Sequence, residues 1–296
     1  MSREKEKRFF FVVNPRSGNY RERAIREQLA EFLSAEGVSG EVHYFVDGET
    51  LRQSLGRAID EGFKSFVVVG GDGIVALVAS HLKDKGVQMG IVPTGTSNML
   101  AQLLGIPLSS RKALGALSSS TRTKTIDALA IGRRLFFMNV SVGLSSYSIQ
   151  ELRTEEKSLF KRAAYVLAVL RSMRKAVTMT FYLEIDGKRR QVEAAELFVD
   201  NAGALGTPRY RLSDARLDDG KLEVCLVHKG TPAEFISAML DVFVRKNKRA
   251  IHWIGSAGQV TVDCGQPLPV QADGDFVAET PVTVEVVPAA ATFIVP

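Results

Sequence analysis

Three short polar runs carry the residue types that hold phosphate: Asn14-Pro15-Arg16-Ser17-Gly18-Asn19, Gly70-Gly71-Asp72-Gly73-Ile74 and Pro93-Thr94-Gly95-Thr96-Ser97-Asn98. Glycine lets an anion approach the backbone because no Cβ stands in the way, and it adopts the dihedrals that tight turns demand. The hydroxyls of Ser17, Thr94, Thr96 and Ser97 and the amides of Asn14 and Asn98 are donors for phosphate oxygens. Each run also has a plainer use. Asp72 can cap a helix while the glycines merely turn the chain, 14–19 can be an ordinary turn, and Thr96 or Ser97 can be an N-cap. For the middle run the two readings are even on spacing alone.

The elements around each run tell more. Residues 65–69 are β-branched and aromatic, too short for a helix and bounded by glycine, so a buried strand should feed the middle run. Ile74, Leu77, Val78 and His81 then fall at helical spacing. That puts the glycines between a strand end and the free N–H groups of a helix, where phosphate is commonly seated. Strands are predicted over 9–13 and 90–92 ahead of the other two runs, with a helix over 99–104 after the third. Helices over 21–35 and 50–61 and a strand over 40–46 complete an alternation that argues a parallel sheet. Parallel strands bring their C-terminal loops to one edge, so the three runs should meet there.

Around residue 123 the pattern changes to strands over 125–131, 135–142, 177–185, 191–199, 222–227, 259–263 and 282–287, many joined by turns such as Asp186-Gly187 and Asp219-Gly220. Such a run of strands implies a second, mainly antiparallel domain, interrupted by helices over 158–175 and 233–246. The expected division is 1–124, with a C-terminal return of 289–296, and 125–288.

A chain of 296 residues with 45% hydrophobic and 24% charged residues is ordinary globular composition for two domains. A net charge of +5 suits an anionic ligand or membrane surface without demanding nucleic acid, and no aromatic-rich basic motif of a nucleic-acid reader is present. The start of the chain is charged and has no secretory core. The apolar patch at 163–170, fenced by Lys161, Arg162 and Arg171, is short of the roughly 20 residues a membrane span needs. A cytoplasmic protein without a transmembrane segment is expected. Cys225 and Cys264 have no metal-ligand spacing and read as reduced thiols, and the four histidines are scattered. Phe160, Ala164, Leu167 and Ala168 beside basic residues, and the run 245–249, can suit a lipid surface, but a core helix and a solvated face are the favoured readings.

In this order along the chain, Asn14-Pro15-Arg16-Ser17-Gly18, Gly70-Gly71-Asp72-Gly73 and Pro93 through Ala101 resemble the diacylglycerol kinase catalytic-domain family, which includes bacterial lipid kinases, sphingosine kinases and ceramide kinases. The similarity continues through Phe137-Met138-Asn139 with Gly143, Leu217-Asp218-Asp219-Gly220 and Asp273-Gly274-Asp275, and so covers nearly the whole chain. It implies an α/β N-terminal domain with a parallel sheet, of NAD kinase/diacylglycerol kinase type, and a C-terminal mainly antiparallel β-sandwich, with nucleotide between them. ATP and Mg²⁺ are the implied cofactors. The implied acceptor is a lipid hydroxyl, met by a protein peripheral to the inner membrane surface. A homodimer is allowed but not dictated.

The resemblance also assigns residues. Asn14, Pro15, Arg16, Ser17, Gly18, Gly70, Gly71, Gly73, Ile74, Thr94, Gly95, Thr96 and Asn98 would line the nucleotide, and Asp72 would orient Mg²⁺ or a reacting group near the γ-phosphate. Asp273 and Asp275 stand at the family's Asp-Gly-Glu motif, whose last carboxylate accepts the proton of the attacking hydroxyl, the help that phosphoryl transfer asks of a base. A structural divalent ion would sit on the loop 216–221, with Asp219 as side-chain ligand and the carbonyls of Arg216 and Lys221 beside it. A plain Asp-Gly turn is the equal alternative.

Some positions depart from the family pattern. Ile74, Ala76 and Leu77 stand where Thr and then Asn-Glu are usual, Asp275 where Glu is usual, and Ser145 where many members carry Asp. The apolar stripe of Ile74, Leu77 and Val78 means either a repacked working site or a weakened one. Three functions follow: a lipid kinase, an NAD-kinase-like enzyme that shares Gly-Gly-Asp-Gly but leaves 93–101 unexplained, and a nucleotide-binding regulator without turnover.

Overall fold

The computed structural model describes residues 7–35, 37–143, 178–201, 215–228 and 251–296. The expected helices over 158–175 and 233–246, Ser145 and the basic run 245–249 lie outside them. The chain divides into two compact units, Met1–Ile126 with Ala289–Pro296 and Asp127–Pro288.

In the first unit, β1 (Lys7–Val13) and β3 (Ser65–Gly70) bury nearly every residue, as parallel strands do when helices cover both faces. β1 lies between β2 (Val38–Tyr44) and β3. β4 (Gln88–Pro93) follows β3, and the last residues of β15 (Val282–Val295) pair with β4, all parallel. α1 (Glu22–Leu33) buries Ile25, Leu29 and Phe32, and α2 (Gly48–Asp60) buries Leu51, Leu55 and Ala58, each set on one helical face. Asp47 starts α2 by accepting from Thr50 N at 2.9 Å. α1 packs beside α5 (Ser110–Ser119), and α2 beside α3 (Asp72–Leu82). Right-handed crossovers that leave β1 in both directions put the helices in these two layers. Phe9 and Phe11 meet Phe32 in one layer at 5.5 and 5.7 Å between ring centroids, while Phe10 meets Phe63 and Phe66 in the other at the same two distances.

One crossover carries the chain from β1 to β2, and the later ones carry it past β1 to β3 and β4. The strand order therefore reverses between β1 and β3. The crevice beyond the C-terminal ends of two such strands is where open α/β sheets bind ligands.

The second unit is antiparallel. β9 (Lys188–Asp200) pairs with β7 (Asn139–Gly143), β8 (Met179–Ile185) and β10 (Leu222–His228). β7 continues to β13 (Pro269–Ala272) and β14 (Asp275–Glu279), β8 to β12 (Gln259–Asp263) and the start of β15, and β10 to β11 (Ile251–Ala257). β5 (Arg122–Ile131) and β6 (Arg134–Phe136) form a further hairpin. Phe181, Leu183, Leu197, Val199, Val224 and Val260 are among its buried core.

Several elements differ from expectation. The single strand predicted over 135–142 is two, β6 and β7. Between them the N–H groups of Phe137, Met138 and Asn139 turn to the Asp273 carboxylate at 2.9–3.1 Å, a long-range bond that period-two alternation does not reveal. The strand predicted over 282–287 runs on to Val295, and β11, β13, β14 and α5 were not foreseen. β11 contains Gly255 and α5 is rich in serine, so neither shows a strong period.

Candidate functional site

Three loops meet at the crevice beside β1 and β3. Asn14 N donates to Val69 O at 2.9 Å, Thr94 N to Gly70 O at 3.0 Å and Asn19 N to Thr94 O at 2.8 Å. Asn19 Nδ2 adds a bond to Gly95 O at 2.6 Å. All three polar runs thus share one rim.

Glycine is required here for loops to touch one another. A Cβ on Gly95 would lie 2.5 Å from Gly71 Cα and 2.7 Å from Asn98 Oδ1, and one on Gly18 would lie 2.6 Å from Thr96 Oγ1. Gly70 is covered from above, because its Cβ would run into Ile74 Cγ2. Ile74 therefore turns its side chain into the protein, where it and Ala76 are buried. What Ile74 offers a ligand is its N–H, free of any intrahelical partner in the first turn of α3 along with that of Gly73. Asn98 is also turned inward. In the left-handed region at φ 49°, it accepts from Gly95 N and donates to Gly95 O, both at 2.8 Å, so its amide shapes the loop.

Asp72 is committed in the same way. Its oxygens accept from Met99 N and Leu100 N, each at 3.0 Å, which caps α4 (Met99–Leu103) rather than its own helix α3. Burial pushes the carboxyl above its ordinary value, against the pull of those N–H groups. The role near the γ-phosphate implied for Asp72 would have to be combined with this use. It ties the second loop to the third.

Several donors on the rim remain uncommitted. Ser17 Oγ and Thr94 Oγ1 are buried and have no hydrogen-bond partner among the described residues, a costly state for a hydroxyl unless a ligand or water completes it. Asn14 accepts from Arg16 N at 3.0 Å through Oδ1, which leaves its amide hydrogens free. Thr96, Pro15 and Arg16 are exposed, and among the described residues no ion pair engages the Arg16 guanidinium. Hydroxyls, an amide, helix N–H groups and one guanidinium on a single rim form a set suited to a polyphosphate.

In the second unit, Asp273 and Gly274 form the two-residue turn between β13 and β14, at φ 49° and 91°. The Asp273 carboxylate accepts the three N–H groups named above, and Asp273 N donates to Asn139 O at 3.0 Å. This arrangement makes Asp273 a holder of the 137–139 segment, and the catalytic role implied for it stays a proposal. Asp275, two residues on, is exposed and makes no hydrogen bond or ion pair among the described residues.

The loop 216–221 is closed on itself. Asp219 accepts from Arg216 N at 3.1 Å and Lys221 N at 3.0 Å, the Arg216 guanidinium pairs with Asp218 at 2.9 Å, and Gly220 N donates to Asp127 Oδ2 at 2.7 Å. Among the described residues no three His, Cys, Asp or Glu side chains gather as a metal group. The loop has the hydrogen bonds of an Asp-Gly turn, and an ion held by the Asp219 carboxylate with the carbonyls of Arg216 and Lys221 stays a proposal beside it. Asp127 and Asn201, which donates to Asp127 O at 3.0 Å and Phe137 O at 3.1 Å, were not foreseen. Nor was Asn19. Its place at the end of the first polar run was the only signal.

Comparison with known proteins agrees with this arrangement. The diacylglycerol kinase catalytic domain matches residues 8–131, and the YegS C-terminal NAD kinase beta sandwich-like domain matches 138–295. An uncharacterised protein of Synechocystis sp. is 25% identical over 247 residues, which cover 80% of this chain and 56% of that protein's length. A protein named putative lipid kinase from Staphylococcus haemolyticus is 26% identical over 231 residues, 75% of this chain and 73% of its own. A structure titled a putative diacylglycerol kinase from Bacillus anthracis superposes with a TM-score of 0.77 over 99% of this chain and 96% of its own. At 20% identity that likeness speaks to fold alone. The first part of the chain matches a diacylglycerol kinase catalytic domain, and with a family model that spans more than half of its length the chain belongs to the YegS C-terminal NAD kinase beta sandwich-like domain family.

Proposed function

We propose that the protein is an ATP-dependent lipid kinase that moves the γ-phosphate of MgATP to a hydroxyl of a diacylglycerol-like lipid. The observation that carries this reading is the pair of buried, unpartnered hydroxyls, Ser17 Oγ and Thr94 Oγ1, on a rim that the resemblance assigns to nucleotide. Ser17, Thr94, Thr96, the Asn14 amide and the N–H groups of Gly73 and Ile74 hold phosphate oxygens, and Arg16 offsets their charge. Bound with the triphosphate, Mg²⁺ would supply charge neutralisation for the phosphoryl transfer. Asp275 accepts the proton of the attacking hydroxyl, and Asp72 and Asp273 act as positioning residues. The protein works at a membrane surface without spanning it; among the described residues no helix is long and apolar enough to cross one.

A second reading, nucleotide binding without turnover, has one observation in its favour: Ile74 covers Gly70 where the family carries threonine. Purified protein given labelled MgATP, a panel of lipids in mixed micelles and NAD in parallel separates the possibilities. Label on a diacylglycerol-like lipid, lost in Asp275→Ala, is the expected result. Label on NAD alone overturns the lipid assignment, and nucleotide binding with no acceptor labelled supports the second reading.

A further inference from the structure

At the opposite end of the strands that carry Asn14 and Gly70 lies a cavity of about 510 Å³ with a cationic wall. Lys7 and Arg8 line it where β1 begins, Lys64 just before β3 and Arg122 where β5 begins, and among the described residues no acidic side chain lines it. Strand register brings two of these charges together: Phe9 pairs with Ser65, so Arg8 and Lys64 enter the sheet side by side. β1 spans about 20 Å, which keeps this end well apart from the glycine-rich rim.

The four cations differ in what engages them. Lys7 Nζ donates to Ser118 O at 2.5 Å and Ser120 O at 3.2 Å, at the end of α5. Arg8 lies over the Phe63 ring at 3.8 Å and donates to Glu61 O at 2.9 Å, with the Glu61 carboxylate 3.9 Å away. Lys64 and Arg122 are exposed, and their side chains have no hydrogen bond or ion pair among the described residues. Like charges facing one cavity raise its potential, and a bound anion lowers it. Neutral donors are present too. Ser65 is buried and its hydroxyl accepts from Gln88 Nε2 at 2.9 Å, which leaves its own proton to donate, and Thr121 and Thr123 add hydroxyl-bearing residues to the lining. Cations and hydroxyls together bind phosphate oxygens, and the volume lies within the range of small-ligand sites.

We propose that this cavity is a second anion site, taking a phosphate group carried by a lipid headgroup or free in solution and bridging β1 to β3 through Arg8 and Lys64. The proposal goes beyond the kinase reading and does not depend on turnover. It is tested on the full chain with the glycine-rich rim kept occupied by a saturating non-hydrolysable MgATP analogue, with inorganic phosphate by calorimetry and thermal shift, and by flotation with phosphatidylcholine vesicles with and without phosphatidic acid. Lys64→Glu combined with Arg122→Glu should weaken binding about thirtyfold through the two reversed charges, whereas Arg16→Glu on the glycine-rich rim should change it less than about twofold. The milder Lys64→Gln with Arg122→Gln should give a smaller loss in the same direction, with an unchanged thermal midpoint as the check on folding. Saturable binding of free phosphate identifies a soluble anion, flotation only with phosphatidic acid identifies a headgroup, and either supports the site. Binding untouched by the Lys64 and Arg122 variants, or abolished by Arg16→Glu alone, overturns it.

Discussion

Asp72 in the first unit and Asp273 in the second occupy motif positions in similar turns, and both present their carboxylates to backbone N–H groups, two for Asp72 and three for Asp273. The neighbourhoods differ. Beside Asp72 stand hydroxyls and N–H groups without partners, donors suited to an anion. Beside Asp273 stands Asp275, an exposed carboxylate without a partner among the described residues and an acceptor suited to a proton. In both turns, then, one acid shapes the loop and its neighbours are left to react. A carboxylate whose lone pairs already hold two or three N–H groups is committed to its loop, while one without such partners can turn to a substrate proton.

The largest expected effect tests the free acid. Asp275→Asn should lower turnover roughly thousandfold, the usual contribution of a general base, with the thermal midpoint unchanged because the side chain supports nothing. If turnover survives, the division of labour at this turn is wrong.

Next is Asp273→Ala, which leaves three N–H groups without an acceptor and should cost about 3 kcal/mol in urea unfolding. Asp273→Asn should be milder, since asparagine tolerates positive φ and keeps one acceptor oxygen. Lost turnover at full stability would instead make Asp273 a reacting group.

Asp72→Ala comes third, at about 2 kcal/mol for two orphaned N–H groups, with weaker MgATP binding as the third loop loosens. Asp72→Asn separates charge from shape. Because burial raises the folded carboxyl above its unfolded value, folding favours the protonated form. Wild type is therefore most stable below the unfolded value, loses stability as pH rises from there through the folded one, and is level above it. The asparagine variant lacks that decline, so the stability gap between the two proteins should narrow with rising pH across the same interval.

The smallest effect concerns Ile74. Ile74→Thr puts a hydroxyl against Gly70 and should cost about 1 kcal/mol, while MgATP affinity by calorimetry shifts less than about threefold, because only the N–H of this residue faces the rim. A tenfold gain in affinity would mark the present seat as weakened.

Much of this was legible in the sequence where the signal is local. The continuous apolar run before Gly70 announced a buried parallel strand, and the switch to alternating stretches after residue 123 announced an antiparallel unit. Asp186-Gly187 read as a tight turn and is one, at φ 45° and 77°. Ile74, Leu77 and Val78 read as one apolar helical stripe, and Ile74 and Val78 are buried with Leu77 half-buried. β11, α5 and the break between β6 and β7 escaped notice because their causes are weak periodicity or distant partners.

Residue types alone determined that three glycine-rich loops would follow strands and that acids would stand in two of the turns, because turn chemistry and side-chain period act over a few residues. Only the tertiary structure decided which acids are occupied. Asp72 meets N–H groups 27 and 28 residues away, and Asp273 meets N–H groups more than 130 away. No local pattern encodes pairings at such separations; they arise when parallel strands bring loop ends to one edge and a hairpin turn folds against a distant segment.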